Sequence, residues 1–496
     1  LQDLPLAVLP KLQWLDVSDT GIENVTTIAM LENLQALYAA NNNIEFIQEL
    51  SVLPQLRELD ISGNRIIDIA PLNTLTQLSV LILSNNADLD INSLAPLLSQ
   101  STNLQKLGLA GIAINDLGQL PIFNPESQLQ WLDVSNTGID NILIVDVLEN
   151  LQSLYASNND IEFIPALSLL PQLRELDLSG NRIVDFSALN IMTHLSVLNL
   201  SNNALTDLSP LLPLIQNNLD LVELGLGGMA INDLSLLPIF MPESKLQVLD
   251  LSNTGISDIE LLRSLTNLRE LNLSGNSLEF VFPLDSLNQL QVLNLSDNEI
   301  FDLAPVGTLM QLTELNLSNN VIGNLLPLQN LYNLTALDLS GNSAIDYSQL
   351  LPIITNNPSL VSLSLADIAI GDQPLNFLMS PDSQLQSLNL RNTGLVFMPV
   401  VPDSVKALDL SDNQLMDFFL LPSVQLNQLD ISGNPLQNID LSSLLNSSGL
   451  TELDLSYVDG ISLSDVQTII ANNPELTKLG IAGFPLNSLS DLPLEQ

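Results

Sequence analysis

One eleven-residue phrase, LxxLxLxxNxL, governs this chain from end to end and leaves few folds open to it. It begins at Leu12, Leu34, Leu56 and Leu78, then at Leu104, Leu129, Leu151, Leu173, Leu195 and Leu221. It returns at Leu246, Leu268, Leu290, Leu312, Leu334, Leu360 and Leu385, and Val405, Leu426, Leu450 and Leu476 open the last four of 21 units. The commonest unit length is 22 residues, and the longer units have 24 to 26. A fixed period of this size marks a stacked array, because one such unit is too small to bury its own apolar face. Within the phrase, LxL alternates with period two. Its two leucines therefore point to one side of a short strand and the residue between them to the other. Strands stacked about 4.8 Å apart make a parallel sheet over a continuous leucine core. The Asn eight residues after the first Leu ends the strand, and its amide both donates to and accepts from the backbone of the turn. Twelve units carry Asn there, four carry Thr (Thr20, Thr137, Thr254, Thr393) and five carry an apolar residue such as Ile112 or Met229. For those five the sequence names no substitute partner.

These residues carry a family resemblance. Units such as LRELDISGNRIIDIAPLNTLTQ resemble the 22-residue class of leucine-rich repeat found in bacterial internalins and in a eukaryotic phosphatase regulator, and the likeness runs through essentially all 496 residues. It implies a leucine-rich-repeat solenoid: a curved right-handed superhelix with a concave parallel β-sheet and short 3-10 or α segments on the convex side. The longer units, with SLAPLLSQSTN, YSQLLPIITNNPS and SLSDVQTIIANNPE, space their apolar residues as helices do.

A second period lies above the first. Residues 12–128 and 129–245 have unit lengths of 22, 22, 22, 26 and 25 in the same order; residues 246–384 add one 22-residue unit, and residues 385–496 form a shortened copy. The reading is one solenoid over residues 1–496 that grew by duplicating blocks, which adds surface and not chemistry. Residues 1–11 align with the second half of a unit, and the final LTKLGIAGFPLNSLSDLPLEQ has no polar cap after it. Open ends of a stack expose an apolar layer and a sheet edge, so the expectation is a longer chain or end-to-end contact between copies.

Charge narrows the partners. Twelve basic against 56 acidic residues give a net charge of −44, a field that repels phosphate backbones and anionic lipid, so nucleic acid is excluded as the expected partner. No apolar run reaches the roughly 20 residues of a membrane helix. Cysteine is absent, which removes thiol chemistry and thiolate metal sites; histidine occurs once, and no Ser–His–Asp set is visible. His194 fills a slot that other units give to Gln77, Asn150 or Lys245, so it belongs on an exposed bend. No enzyme is expected.

Two features of the sheet face stand out. Trp14 and Trp131 lie two residues after their opening Leu, with Tyr38 and Tyr155 on the following strands. Each pair predicts an aromatic spot of the kind that anchors protein or sugar ligands. In the last block Asp409, Asp430 and Asp454 follow one another at the position between the strand leucines. Like charges at strand spacing cost on the order of 1 kcal/mol per pair in water, and the three form a candidate calcium site of hard oxygen ligands. The expected function is non-enzymatic: an extracellular or cell-surface bacterial protein that binds protein or glycan on an acidic concave face. A filament subunit joined end to end is the alternative, and an intracellular scaffold the third reading.

Overall fold

The computed structural model describes residues 9–484 and Leu492, apart from 122–125, 165, 166, 168, 169, 206–208, 219, 238–243, 372–374, 376–382, 422, 440–443, 445–448 and 459. The two chain ends on which the capping expectation rests thus lie largely outside the described residues. The chain divides into two compact regions, Leu1–Ile231 with Ser235–Thr254, and Asn232–Leu234 with Gly255–Gln496.

In the first region eleven three-residue strands are described, from Trp14–Asp16 to Val248–Asp250, one per repeat. They pair in parallel and in register: Leu15 lies against Leu37, Leu37 against Leu59 and Leu59 against Leu81. The second region repeats the arrangement in ten strands from Glu270–Asn272 to Lys478–Gly480. The register follows from the phrase, because a slip of one residue would turn every core leucine to solvent. Both inward positions are sealed: Leu37, Leu59 and Leu293 are at most 1% exposed, as are Ala39, Ile61 and Leu295 two residues on.

The asparagines do more than end strands. Asn64 Nδ2 donates to the Ile61 carbonyl of its own coil at 3.0 Å and to the Ala39 carbonyl of the coil before at 2.9 Å, while its Oδ1 accepts the Ile44 N–H at 2.9 Å. Asn86, Asn298, Asn320 and Asn342 reproduce this pattern. Each amide is a rivet between coils, buried where water cannot replace it. Thr is too short to reach the coil before: its Oγ1 donates to the carbonyl three residues earlier, as in Thr20 to Val17 (2.6 Å) and Thr137 to Val134 (2.7 Å), and to the Asn Oδ1 of the next coil, Asn42 and Asn159, each at 3.2 Å.

The apolar positions, for which the sequence offered no partner, are served by the backbone. Ile112 N–H donates to Leu109 carbonyl and Met229 N–H to Leu226 carbonyl. Where an Asn Oδ1 would have waited on the next coil, Ile114 N–H donates to the Thr137 carbonyl at 3.0 Å, and Ile370 N–H to that of Thr393. The amide ladder is thus broken where one block meets the next and bridged there by main chain.

A further rule is visible only in the backbone. The residue just before the Asn position has positive φ in all 21 units, and it is Gly, Asn or Asp in every one but the Tyr457 unit. These three residue types enter the left-handed region with least penalty. Tyr457, at φ 56 and 71% exposed, is the outlier.

The outer side carries short 3-10 segments such as Gln48–Val52 and Glu260–Ser264. True helices occur in the longer units, as their apolar spacing predicted: Leu94–Gln100, Leu212–Asn217, Leu350–Asn356 and Leu463–Asn472. The last opens with a capping box between Ser462 and Asp465. Among the described residues no helix is long and apolar enough to cross a membrane.

Candidate ligand-binding face

Strand pleating sends three residues of each coil outward: the first and last of the strand, and the residue two further on. The last is usually Asp or Asn and the following one Ser. These polar residues bond along the ladder only in part. Most close on themselves: Asp60 Oδ1 accepts both the N–H (3.0 Å) and Oγ (2.6 Å) of Ser62, and Asn316 does the same for Ser318. Where the strand ends instead in Tyr or Gly, that N–H turns to the serine of the preceding coil. Ala40 N–H goes to Ser18 Oγ, Ala110 to Ser84, Ser157 to Ser135 and Gly227 to Ser201. A non-Asx residue is therefore tolerated at the strand end when a serine stands one coil earlier.

Tyr38 and Tyr155 use that tolerance. The register sets Trp14 beside Ala36, and Trp131 beside Ser153. These small neighbours leave room for each indole to lean diagonally over the next strand's tyrosine. Trp14 and Tyr38 ring centroids lie 5.9 Å apart and those of Trp131 and Tyr155 5.6 Å, both tilted by 47°, within the range of favourable aromatic pairs. Tyr38 Oη donates to Glu58 Oε2, and Tyr155 Oη to Glu175 Oε2 at 2.6 Å. The Glu58 acceptor, aided by burial, pushes the Tyr38 phenol up to about 12. For Tyr155 burial is the larger cause of an upward shift, with Glu175 second. Both tyrosines are thus neutral and fixed, and Trp14 remains 57% exposed above its partner. Asp16, Asp60, Asp133 and Asp177 flank the pairs in register, so each spot is a ring face among carboxylates. The equivalent positions in the second region, such as Asn272 and Asp409, carry no aromatic.

Asp409, Asp430 and Asp454 stand in file across three paired strands. Burial, then the Asp409 and Asp454 charges, raise Asp430 above the usual carboxylate range, against the lowering effect of its Ser432 hydrogen bonds. Calcium would need the three to close on one point. Instead Asp409 and Asp430 each turn Oδ1 to the serine two residues on, at 2.6 Å from its Oγ. Among the described residues no group of three or more such ligands is disposed to hold a metal ion. His194 is exposed, where its slot in the repeat put it.

Family models for "Leucine Rich repeats (2 copies)" match residues 54–96, 149–191, 171–213 and 244–281, and related leucine-rich-repeat models match 9–66 and 309–325. No curated relative matches the sequence. Among solved structures, the chain is similar to the ectodomain of the Arabidopsis thaliana receptor kinase GASSHO1/SCHENGEN3, crystallised with CASPARIAN STRIP INTEGRITY FACTOR 2. Identity is 21%, over 95% of this chain and 67% of that one, with a TM-score of 0.55. It is similar also to TLR13 in the TLR13–ssRNA13 complex, at 22% identity over 93% and 76% with a TM-score of 0.53. An internalin (inlF) from Listeria monocytogenes is 24% identical over 73% and 88%, with a TM-score of 0.42. The in-register strands and the amide ladder continue through coils that the family models do not reach, and this chain is a leucine-rich-repeat protein.

Proposed function

We propose that this is a non-enzymatic bacterial surface or secreted protein that captures a polypeptide ligand on the sheet face of its first region. The observation that carries the reading is the duplicated Trp–Tyr pair, each tyrosine tied to a glutamate and each indole left beside carboxylates. Such a surface offers apolar area at little entropic cost together with negative charge, which suits Lys- or Arg-bearing segments with apolar side chains. The likeness of the repeat to internalin units supports a place on or outside the cell. The net charge of −44 supports a protein ligand over nucleic acid, although one protein of similar fold was crystallised with ssRNA.

The chain contains two tryptophans, and both belong to these pairs. Intrinsic emission therefore reports this face alone. Titration with an alternating Lys-Leu decapeptide is expected to shift the emission, and Tyr38→Ala with Tyr155→Ala is expected to weaken binding by about tenfold or more. Emission that ignores the peptide and follows chitohexaose would turn the ligand into a glycan. Emission that follows neither would end the reading.

A further inference from the structure

The two Trp–Tyr pairs lie in one compact region and on one sheet. From Trp14 the pairing runs without a gap through Ala36, Glu58, Val80 and Lys106 to Trp131, the first residue of each strand beside that of the next. Five strand steps therefore separate the pairs, about 24 Å in all. Both pairs have the same 47° tilt, and a glutamate on the strand after each tyrosine holds its hydroxyl. The spots are two copies of one surface at a fixed separation on the same side of the sheet.

The ground between them is low. The three intervening strands begin with Glu58, Val80 and Lys106 and end with Asp60, Ile82 and Gly108. All of these but Lys106 are buried or half-buried. Glu58 is tied to the Tyr38 hydroxyl and Asp60 to Ser62. Gly108 has no side chain to raise, and an added Cβ would stand 3.0 Å from Ile82 Cγ2. Two residues beyond the strands come only Ser62, Ser84 and Ala110. The track also has a direction: acidic beside Tyr38, aliphatic in the middle, and basic beside Trp131.

We propose that the two pairs are halves of one site, and that a single extended polypeptide crosses the five strands with an apolar side chain anchored on each pair. The inference rests on the capture reading above and adds to it a length and a sequence pattern. An extended chain advances about 3.1–3.4 Å per residue, so anchors about 24 Å apart are about seven or eight residues apart in the ligand. Alternate residues of such a chain face the sheet, and a separation of about eight puts both anchors on that side. The residues two, four and six after the first anchor then lie over the three intervening strands. Lys or Arg suits the first of these, opposite Glu58 and Asp60; an apolar residue suits the second, opposite Val80 and Ile82; Asp or Glu suits the third, opposite Lys106. One pair alone offers a small contact. Joining two makes the second contact intramolecular, which raises affinity without any new surface, provided the spacing matches. The third block has Val248 and Asn272 where the pair would recur, so the span ends at two anchors.

The test is calorimetric titration of the full chain with Gly-Ser peptides that carry two leucines, four or eight residues apart, and a lysine two residues after the first leucine. A peptide with the second leucine replaced by glycine is the reference. The eight-residue spacing is expected to bind one peptide per chain, at least tenfold more tightly than the four-residue spacing or the reference. Tyr38→Ala and Tyr155→Ala, each alone, should bring it down to the reference affinity. Two peptides bound per chain, equal affinity at both spacings, or a single variant that halves the number of sites and leaves the affinity of the rest unchanged would each overturn the proposal. In those cases the capture reading stands, with two separate sites. If none of these peptides binds, and the alternating Lys-Leu decapeptide does not bind either, the capture reading falls and takes this inference with it. The spacing comparison uses the unaltered chain, so it holds whatever the variants do to folding.

Discussion

Removing one rivet of the amide ladder should open one turn, and Asn320 is the place to do it. Its Nδ2 donates to the carbonyls of Leu295 (2.9 Å), Leu317 (3.0 Å) and Ser318 (3.1 Å), and its Oδ1 accepts the Ile300 N–H at 2.9 Å. The carbonyls are insured: Leu295 also receives Asn298 Nδ2, Leu317 receives Asn342 Nδ2, and Ser318 receives the Asp297 N–H. The Ile300 N–H has no such second partner among these bonds, and its side chain is fully buried. Asn320→Ala therefore leaves one buried donor unpaired, at about 1–3 kcal/mol, and removes amide bonds worth about 0.5–1.5 kcal/mol each. The expected cost is about 3 kcal/mol. Because a solenoid opens coil by coil, the assay is hydrogen exchange of peptides spanning residues 298–302, with urea unfolding alongside. Asn320→Thr should recover less than half of the loss, since threonine bonds the carbonyl three residues back and the next coil's Asn, as Thr20 and Thr137 do, but does not reach the coil before. Ile112→Ala should leave exchange at Ile114 nearly unchanged, because that N–H rests on the Thr137 carbonyl. Unaltered exchange at Ile300 in Asn320→Ala, or a cost below about 0.5 kcal/mol, would refute the ladder as the joint between coils.

Three further outcomes are expected. Tyr457→Asn should stabilise the chain by about 1 kcal/mol, because it relieves a bulky residue of the left-handed conformation; thermal melting would show it. Asp430→Asn should raise the melting temperature at pH 7, since Asn keeps the acceptor for Ser432, as Asn272 does for Ser274. The sign follows from the raised pKa of Asp430: the folded chain holds that proton more tightly than the unfolded one, so the wild-type penalty is present above the folded pKa and fades as pH falls towards the unfolded value. The two proteins should melt alike near pH 3, and a gap that widens in acid would contradict the assignment. Ultraviolet titration should place the Tyr38 phenol near 12, and Glu58→Gln should bring it down by removing the charged acceptor; no movement would show that burial alone holds it up.

Much of this protein was written locally. The unit length, the inward leucines, the role of Asn in the turn and the helices of the longer units follow from residues within one repeat, where period and side-chain chemistry decide. The left-handed position before the Asn was equally legible, as a column of Gly, Asn and Asp, had the units been compared at that offset. What only the tertiary structure decided lies between coils. Register puts Trp14 beside Ala36 and lets it lean on Tyr38; it hands the Ile114 N–H to Thr137 and the Ala40 N–H to Ser18, and it sets three aspartates in file along the sheet. Those partners are some 20 to 25 residues apart, and which atoms meet depends on how each connecting segment returns the chain to the sheet. A repeat specifies what one coil offers its neighbours. The stacking selects which offers are taken.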